Sequence, residues 1–261
     1  MNLAPLLEKE LLEGRFWTHS KTLVEGCTKV SPGCINCWSE AMAMRFNGGK
    51  AFDGTVTERP ERLLEIMPKT FGSKRKPRVW TYWNDLFHPI VSDKLRDGLH
   101  RLIGHGPDFH IICTKRPEEV VKYWQRPHGA GPLPIRKEKL IYLVTMEDRE
   151  RVTERLPHVN KLLHDGWKVG ALIEPMLEPI DLENTCVKCG HYSDAECPST
   201  SGHCVMRPSL SWIVCGPENG KGKRPFDGQW AMRLQAQAKA AGIPFFYKAG
   251  LLNGKRYIET P

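Results

Sequence analysis

Cys27, Cys34 and Cys37 lie in the run GCTKVSPGCINCW, with six and two residues between them. Glycine and proline in that run predict a tight loop that leads into a helical stretch, and thiols so spaced suit a metal- or cluster-binding loop. Three thiolates are one fewer than a [4Fe–4S] cubane has irons, so a cluster here would keep one iron open to a small chelating molecule. Residue types alone leave two other readings open. One is a zinc site completed by His19 or His88; the other is three unrelated thiols packed as small hydrophobes. Gly26, Ser31, Pro32 and Gly33 suit a loop that turns backbone N–H groups toward cluster sulfurs.

A second group, Cys186, Cys189, Cys197 and Cys204, sits in TCVKCGHYSDAECPSTSGHC, with two, seven and six residues between successive thiols. Four thiols are a complete tetrahedral set, and the Cys-x2-Cys-Gly opening has the form of a zinc knuckle. Structural zinc is the expectation, with an auxiliary iron–sulfur cluster as the alternative and His191 or His203 able to replace one thiol. The segment, residues 184–208, is read as a small metal-binding insertion within a single domain spanning 1–261. Zinc would order a polar stretch that buries little apolar surface.

These groups need a frame. RVWTYW (78–83), FHIICT (109–114), LIYLVT (140–145), KVGALI (168–173), SWIVCG (211–216) and IPFFYK (243–248) are nearly all apolar rather than alternating, as strands buried on both faces are. Helix candidates separate most of them: SDKLRDGLHRLIG, RPEEVVKYWQ, DRERVTERLPHVNKLLHDG and DGQWAMRLQAQAKAAG, with Ser92 and Asp227 as caps and Gly166 and Gly242 as stops. Strand–helix alternation predicts a parallel α/β sheet. With a seventh strand within residues 15–24, it would suit an incomplete barrel.

Polar residues follow each strand run: Asn84, Asp85 and His88; Lys115 and Arg116; Glu147 and Asp148; Glu174; Glu218 and Asn219; Lys248. The carboxyl ends of parallel strands form the ligand-binding rim, so these residues should converge. Glu147 or Asp148 opens a helix and is as well suited to capping it. Glu174, between apolar residues and before a proline, requires a partner if buried. Cys113 and Cys215 lie inside apolar strands and read as core residues.

The chain has 261 residues, a formal charge of +8 and a pI near 9.0, with 40% hydrophobic and 26% charged residues. That is a globular composition with a bias toward polyanionic partners. No apolar run approaches the roughly 18 residues that span a bilayer, and the charged N-terminal stretch is unlike a secretory signal. A cytoplasmic location without membrane contact is expected, the host cytoplasm if the chain is phage-encoded. GSKRKPR (72–78) and GKGKR (220–224) are the densest basic segments. They read either as solvated loops or, through Lys74, Arg75, Lys76, Lys221, Lys223 and Arg224, as phosphate contacts to a DNA or nucleotide substrate.

The blocks GCTKVSPGCINCW, NDLFHP, CTKRPE, VTMEDRERVTERLPHV, EPMLEPIDL, WIVCGPENGKGKRPF and IPFFYKAG, in this order, resemble a largely uncharacterised phage-type family regarded as divergent radical S-adenosylmethionine (SAM) enzymes. The likeness runs from about Cys27 to Gly250, with Trp38 where that family usually has tyrosine. It implies a partial (β/α) TIM-like barrel of radical SAM type. It also implies a [4Fe–4S] cluster on Cys27, Cys34 and Cys37, SAM chelated to the open iron, and cleavage of SAM to a 5′-deoxyadenosyl radical by an external electron donor. Six residues separate the first two cysteines, against three in the commonest radical SAM pattern. Within that frame Asn84 and Asp85 are candidates for the SAM amino group, Lys115 and Arg116 for its carboxylate, and Glu147 or Glu174 for its ribose. The substrate would be a modified pyrimidine in phage DNA. Two rivals compete: a zinc-stapled nucleic-acid-binding protein without catalysis, and a metal-dependent hydrolase using Asp85, His88 and Glu174.

Overall fold

The computed structural model describes residues 2–46, 52–67, 75–127, 133, 135–182 and 210–261. In chain order these form α1 (Ala4–Leu12), β1 (His19–Lys21), β2 (Val24–Glu25), α2 (Trp38–Phe46), β3 (Thr57–Glu58), α3 (Leu63–Ile66), β4 (Val79–Tyr82), α4 (Asp93–His105), β5 (Phe109–Thr114), α5 (Pro117–Gln125), β6 (Leu140–Thr145), α6 (Arg149–His164), β7 (Lys168–Ile173), β8 (Ile213–Cys215), α7 (Gly228–Ala240) and β9 (Phe245–Tyr247). The four-cysteine group lies outside the described residues, as does Lys74.

Seven strands form one parallel sheet in the order β1-β4-β5-β6-β7-β8-β9, curled into a half-barrel, while β2 and β3 make a separate antiparallel ribbon. Each strand lies beside the next strand of the sheet, and helices α4 to α7 pack on one outer face of it. Strands buried on both faces explain the unbroken apolar runs: all six residues of β6 are buried. Ser92, Asp148 and Asp227 cap α4, α6 and α7 by accepting from Leu95 N, Arg151 N and Gln229 N. Pro157 sits inside α6 without ending it.

Alternate strand residues feed two cores. Ile112, Tyr142, Val144, Val169 and Ile213 pack under the outer helices with Leu95, Leu99, Leu156 and Leu234. Ile111, Ile141, Leu143, Val214 and Phe246 point the other way and meet Leu3, Leu7 and Leu11. Those three leucines recur every fourth residue, which puts them on one face of α1. The N-terminal helix therefore fills the concave side that a closed barrel would pack with its own strands. Gly14 ends this connection at φ +77°, where an added Cβ would stand 2.5 Å from Lys248 O, so the chain passes flush against the end of β9.

Among the described residues no helix is long and apolar enough to cross a membrane.

Candidate functional site

All three N-terminal thiols line one cavity of about 210 Å³ at the carboxyl end of the sheet. The wall opposite them is made by strand-end residues, among them Asp85, Lys115, Arg116, Glu174, Glu218 and Lys248. Rim convergence thus holds for residues spread over more than half the chain. No disulfide joins Cys27, Cys34 and Cys37.

The loop that carries the thiols is held at three points, each next to a cysteine. Beside Cys27, Arg116 donates to Thr28 O (3.1 Å) and Thr28 Oγ1 (2.9 Å), and its other terminal nitrogen lies 3.8 Å from the Cys27 sulfur. Asp85 fixes that guanidinium at 2.8 Å while also accepting from Thr114 Oγ1, Lys115 N and Phe87 N. Before Cys34, Glu147 accepts from Ser31 Oγ, from Gly33 N (3.2 Å) and from Lys115 Nζ (3.0 Å), with Arg155 at 2.9 Å on its second oxygen. Before Cys37, Asn36 donates to Glu218 (3.0 Å), which also binds Arg224, and Arg224 reaches Pro32 O at 3.0 Å. The three carboxylates follow β4, β6 and β8, so alternate strands supply the tethers.

Burial and charge compete at these groups. Glu147 has 0% of its surface exposed, and burial alone would raise its pKa. Lys115 and Arg155 with the Ser31 bond overcome this and hold it near 2. Arg224 holds Glu218 near 2 as well. Burial raises the Cys27 thiol, against which Arg116 works. Burial raises Cys37 too, against bonds from the backbone N–H groups of Glu40 and Ser39 in the first turn of α2. Gly26 must be glycine: φ is +85° and a Cβ would lie 2.0 Å from Thr55 O.

Several expected roles change once partners are visible. Asp85 has two bonds on each oxygen, and both oxygens of Glu147 are taken, so neither faces a ligand freely. Asn84, at φ +62°, donates to Val24 O and accepts from Ser39 Oγ, which ties β2 to α2. Glu174 does have its partners, Lys248 at 2.5 Å and Asn219 at 3.2 Å, and this trio stays on the cavity wall. Of the paired acids opening α6, Asp148 is the cap and Glu147 the tether.

His19 pairs in register with Trp80 at the amino end of the sheet, away from the thiols, and His88 bonds Thr28 Oγ1 through Nε2. Among the described residues no three His, Cys, Asp or Glu side chains gather as single-ion ligands, the set Asp85, His88 and Glu174 included. Cubane thiolates bind different irons and stand apart, so this geometry bears on a lone ion rather than on a cluster. Cys215 is core, whereas Cys113 lines the cavity, its thiol raised to about 12 by burial. Arg75 is not a phosphate contact at this mouth: it forms a bidentate pair with Asp108, which precedes β5 at the opposite end of the sheet. Arg224 is likewise turned inward.

Thr28, Asn36 and Arg155 were not singled out by type or spacing, and Ser31 was read only as a loop former, not as a partner of Glu147. Asn36 lies between two of the cysteines, which is a usable signal; Arg155 depends on α6 folding back over Glu147.

Fold and site together define a parallel half-barrel protein with a tethered three-thiol loop over its carboxyl-terminal cavity. The chain belongs to the family described as Protein of unknown function (DUF5131), which matches residues 15–255. No curated protein and no solved structure matches it.

Proposed function

We propose that this protein is a radical SAM enzyme in which Cys27, Cys34 and Cys37 hold a [4Fe–4S] cluster and SAM occupies the iron without a thiolate. The observation that carries this reading is the shared cavity, where three unjoined thiols face polar strand ends from a loop pinned beside each of them. The donor set fits a cubane. Arg116 near Cys27 and the backbone N–H groups at Cys37 work against the burial that raises both thiols, toward the thiolate forms that metal ligation requires. When bound, such a pair supplies one-electron cleavage of a carbon–sulfur bond and hydrogen abstraction from a substrate.

The chain's own residues do the rest. Lys115 keeps donor capacity beyond its Glu147 bond and suits the carboxylate of SAM, while Glu174 and Asn219 suit its amino and ribose groups. Lys248 fixes Glu174 and lies 5.3 Å from the Phe16 ring centre. Phe16, Trp17, Leu172 and Pro175 shield the interior from water. The charge of +8 supports a nucleic-acid substrate, with a modified pyrimidine in phage DNA as the proposed target. The Cys186, Cys189, Cys197 and Cys204 group is proposed to hold zinc.

Anaerobic purification tests this reading. A brown protein with about four irons per chain, losing them on Cys34→Ala and releasing 5′-deoxyadenosine from SAM when reduced, supports it. A colourless protein carrying zinc alone, unchanged by Cys34→Ala, overturns it in favour of the architectural metal protein.

A further inference from the structure

A groove of about 730 Å³ opens beside the cavity and shares with it Trp17, Asn36, Cys37, Trp38, Trp83, Glu174, Asn219 and Lys248. Beyond the shared residues it is lined by Ile35, Met42, Met44, Arg45 and Lys221 among others. Trp38 leaves 48% of its surface exposed and is braced edge-on by Trp83 at 5.2 Å, so one aromatic face is presented in a fixed orientation. The groove's acids are already neutralised, Glu40 by Lys29 at 3.0 Å and Glu174 by Lys248. Arg45 and Lys221 are left as its net charge, two cations flanking an aromatic platform.

We propose that this groove is a binding site for single-stranded nucleic acid, with a base stacked on Trp38 and the adjoining phosphates held by Arg45 and Lys221. The platform accepts any base through its π face, and the cations follow the backbone. An acidic peptide would use the cations but leave Trp38 idle, and a duplex cannot offer a stacked base to a groove wall. Continuity with the cavity gives the arrangement its purpose: a nucleotide entering beneath the thiols brings its neighbours along the groove. That purpose rests on the enzymatic reading above; the binding itself does not.

The experiment is fluorescence anisotropy of a labelled eight-residue oligothymidylate titrated with the full chain, alongside quenching of tryptophan emission. Trp38→Ala should weaken binding about tenfold and remove the quenching, with Trp38→Phe restoring most of the affinity. Arg45→Gln with Lys221→Gln should lower the slope of log affinity against log salt by about 1.4, as loss of two phosphate contacts on a single strand predicts. Trp38 is half exposed, so circular dichroism should report unchanged folding. Cys34→Ala protein should bind the oligonucleotide as tightly as the parent, which separates this site from the cluster assignment. Equal binding by duplex, displacement by polyglutamate at matched charge, or an unchanged affinity in Trp38→Ala each overturns the proposal.

Discussion

The two ends of the sheet use the same chemistry to different effect. At the amino end Asp108 takes two bonds from Arg75, one from Arg78 N and one from Trp80 Nε1 (3.0 Å), and the cluster closes on itself. At the carboxyl end Asp85, Glu147 and Glu218 are just as fully bonded, yet what they hold is a loop with three thiols above a cavity. A buried carboxylate paired with arginine therefore says little about function by itself. What distinguishes the ends is the element held: the segment entering β4 in one case, the three-thiol loop in the other.

The comparison breaks most sharply at Glu147. Glu147→Gln leaves Arg155 and Lys115 without their counter-charge, and Arg155 is only 1% exposed. A stability loss of about 3–5 kcal/mol in urea titration is expected, together with loss of iron if the proposed cluster is bound. Asp108→Asn should cost about 3 kcal/mol by the same measurement, but iron content per folded chain should stay at the parent's value. Should both variants lose iron equally, the two ends are not functionally distinct.

Gly33→Ala probes the tether without removing charge. The new methyl would lie 2.7 Å from Glu147 Oε1 and 3.0 Å from Lys115 Nζ. A destabilisation of about 1–3 kcal/mol is expected from such crowding, with protease cleavage appearing in the loop before the rest of the chain.

Acid should separate the regions more gently. Burial depresses His110, early in β5, to about 3, and His100, on the buried face of α4, to about 4, from 6.5 when unfolded. Their neutral forms contribute stability that is complete above pH 6.5 and is lost as pH falls toward 4 and 3. Glu147, held near 2 against 4.5 unfolded, contributes above pH 4.5 and loses that contribution as pH falls toward 2. The urea midpoint should therefore begin to fall below pH 6.5, and the stability gap between Glu147→Gln and the parent should stay constant above about pH 4.5 and narrow below it. A parent profile flat from pH 7 to 5 would remove the histidine contribution.

The elements were legible where both faces of a strand are buried. Residues 109–114, 140–145 and 168–173 form strands over the expected spans, because a continuous apolar run admits little else between turn signals. The runs at 211–216 and 243–248 shrink to Ile213–Cys215 and Phe245–Tyr247, although Ser211 N, Gly216 N and Lys248 N still donate to the neighbouring strands at Val169 O, Ile173 O and Cys215 O. The cap residues and the need of Glu174 for a partner were readable from local chemistry. The tethers were not. Arg116 reaching Thr28 spans 88 positions and Asn36 reaching Glu218 spans 182, so no local pattern signals either. For the same reason Arg75, 33 positions from Asp108, reads as surface charge until its carboxylate is seen; Arg224 does so although Glu218 is only six positions away, because a basic loop gives no sign of which way its arginine turns. The N-terminal helix shows its leucines at helical spacing, but only the curled sheet discloses that they fill a concave face.

Because α1 supplies one wall of the inner core, the first dozen residues are to this sheet what the missing strands are to a closed barrel. Deleting them would open a hydrophobic trough along Ile111, Ile141, Leu143 and Phe246, and Gly14, against the end of β9, would lose the helix that delivers it there. Helix α1 is thus a keystone: the curl of the sheet that carries the cavity leans on it.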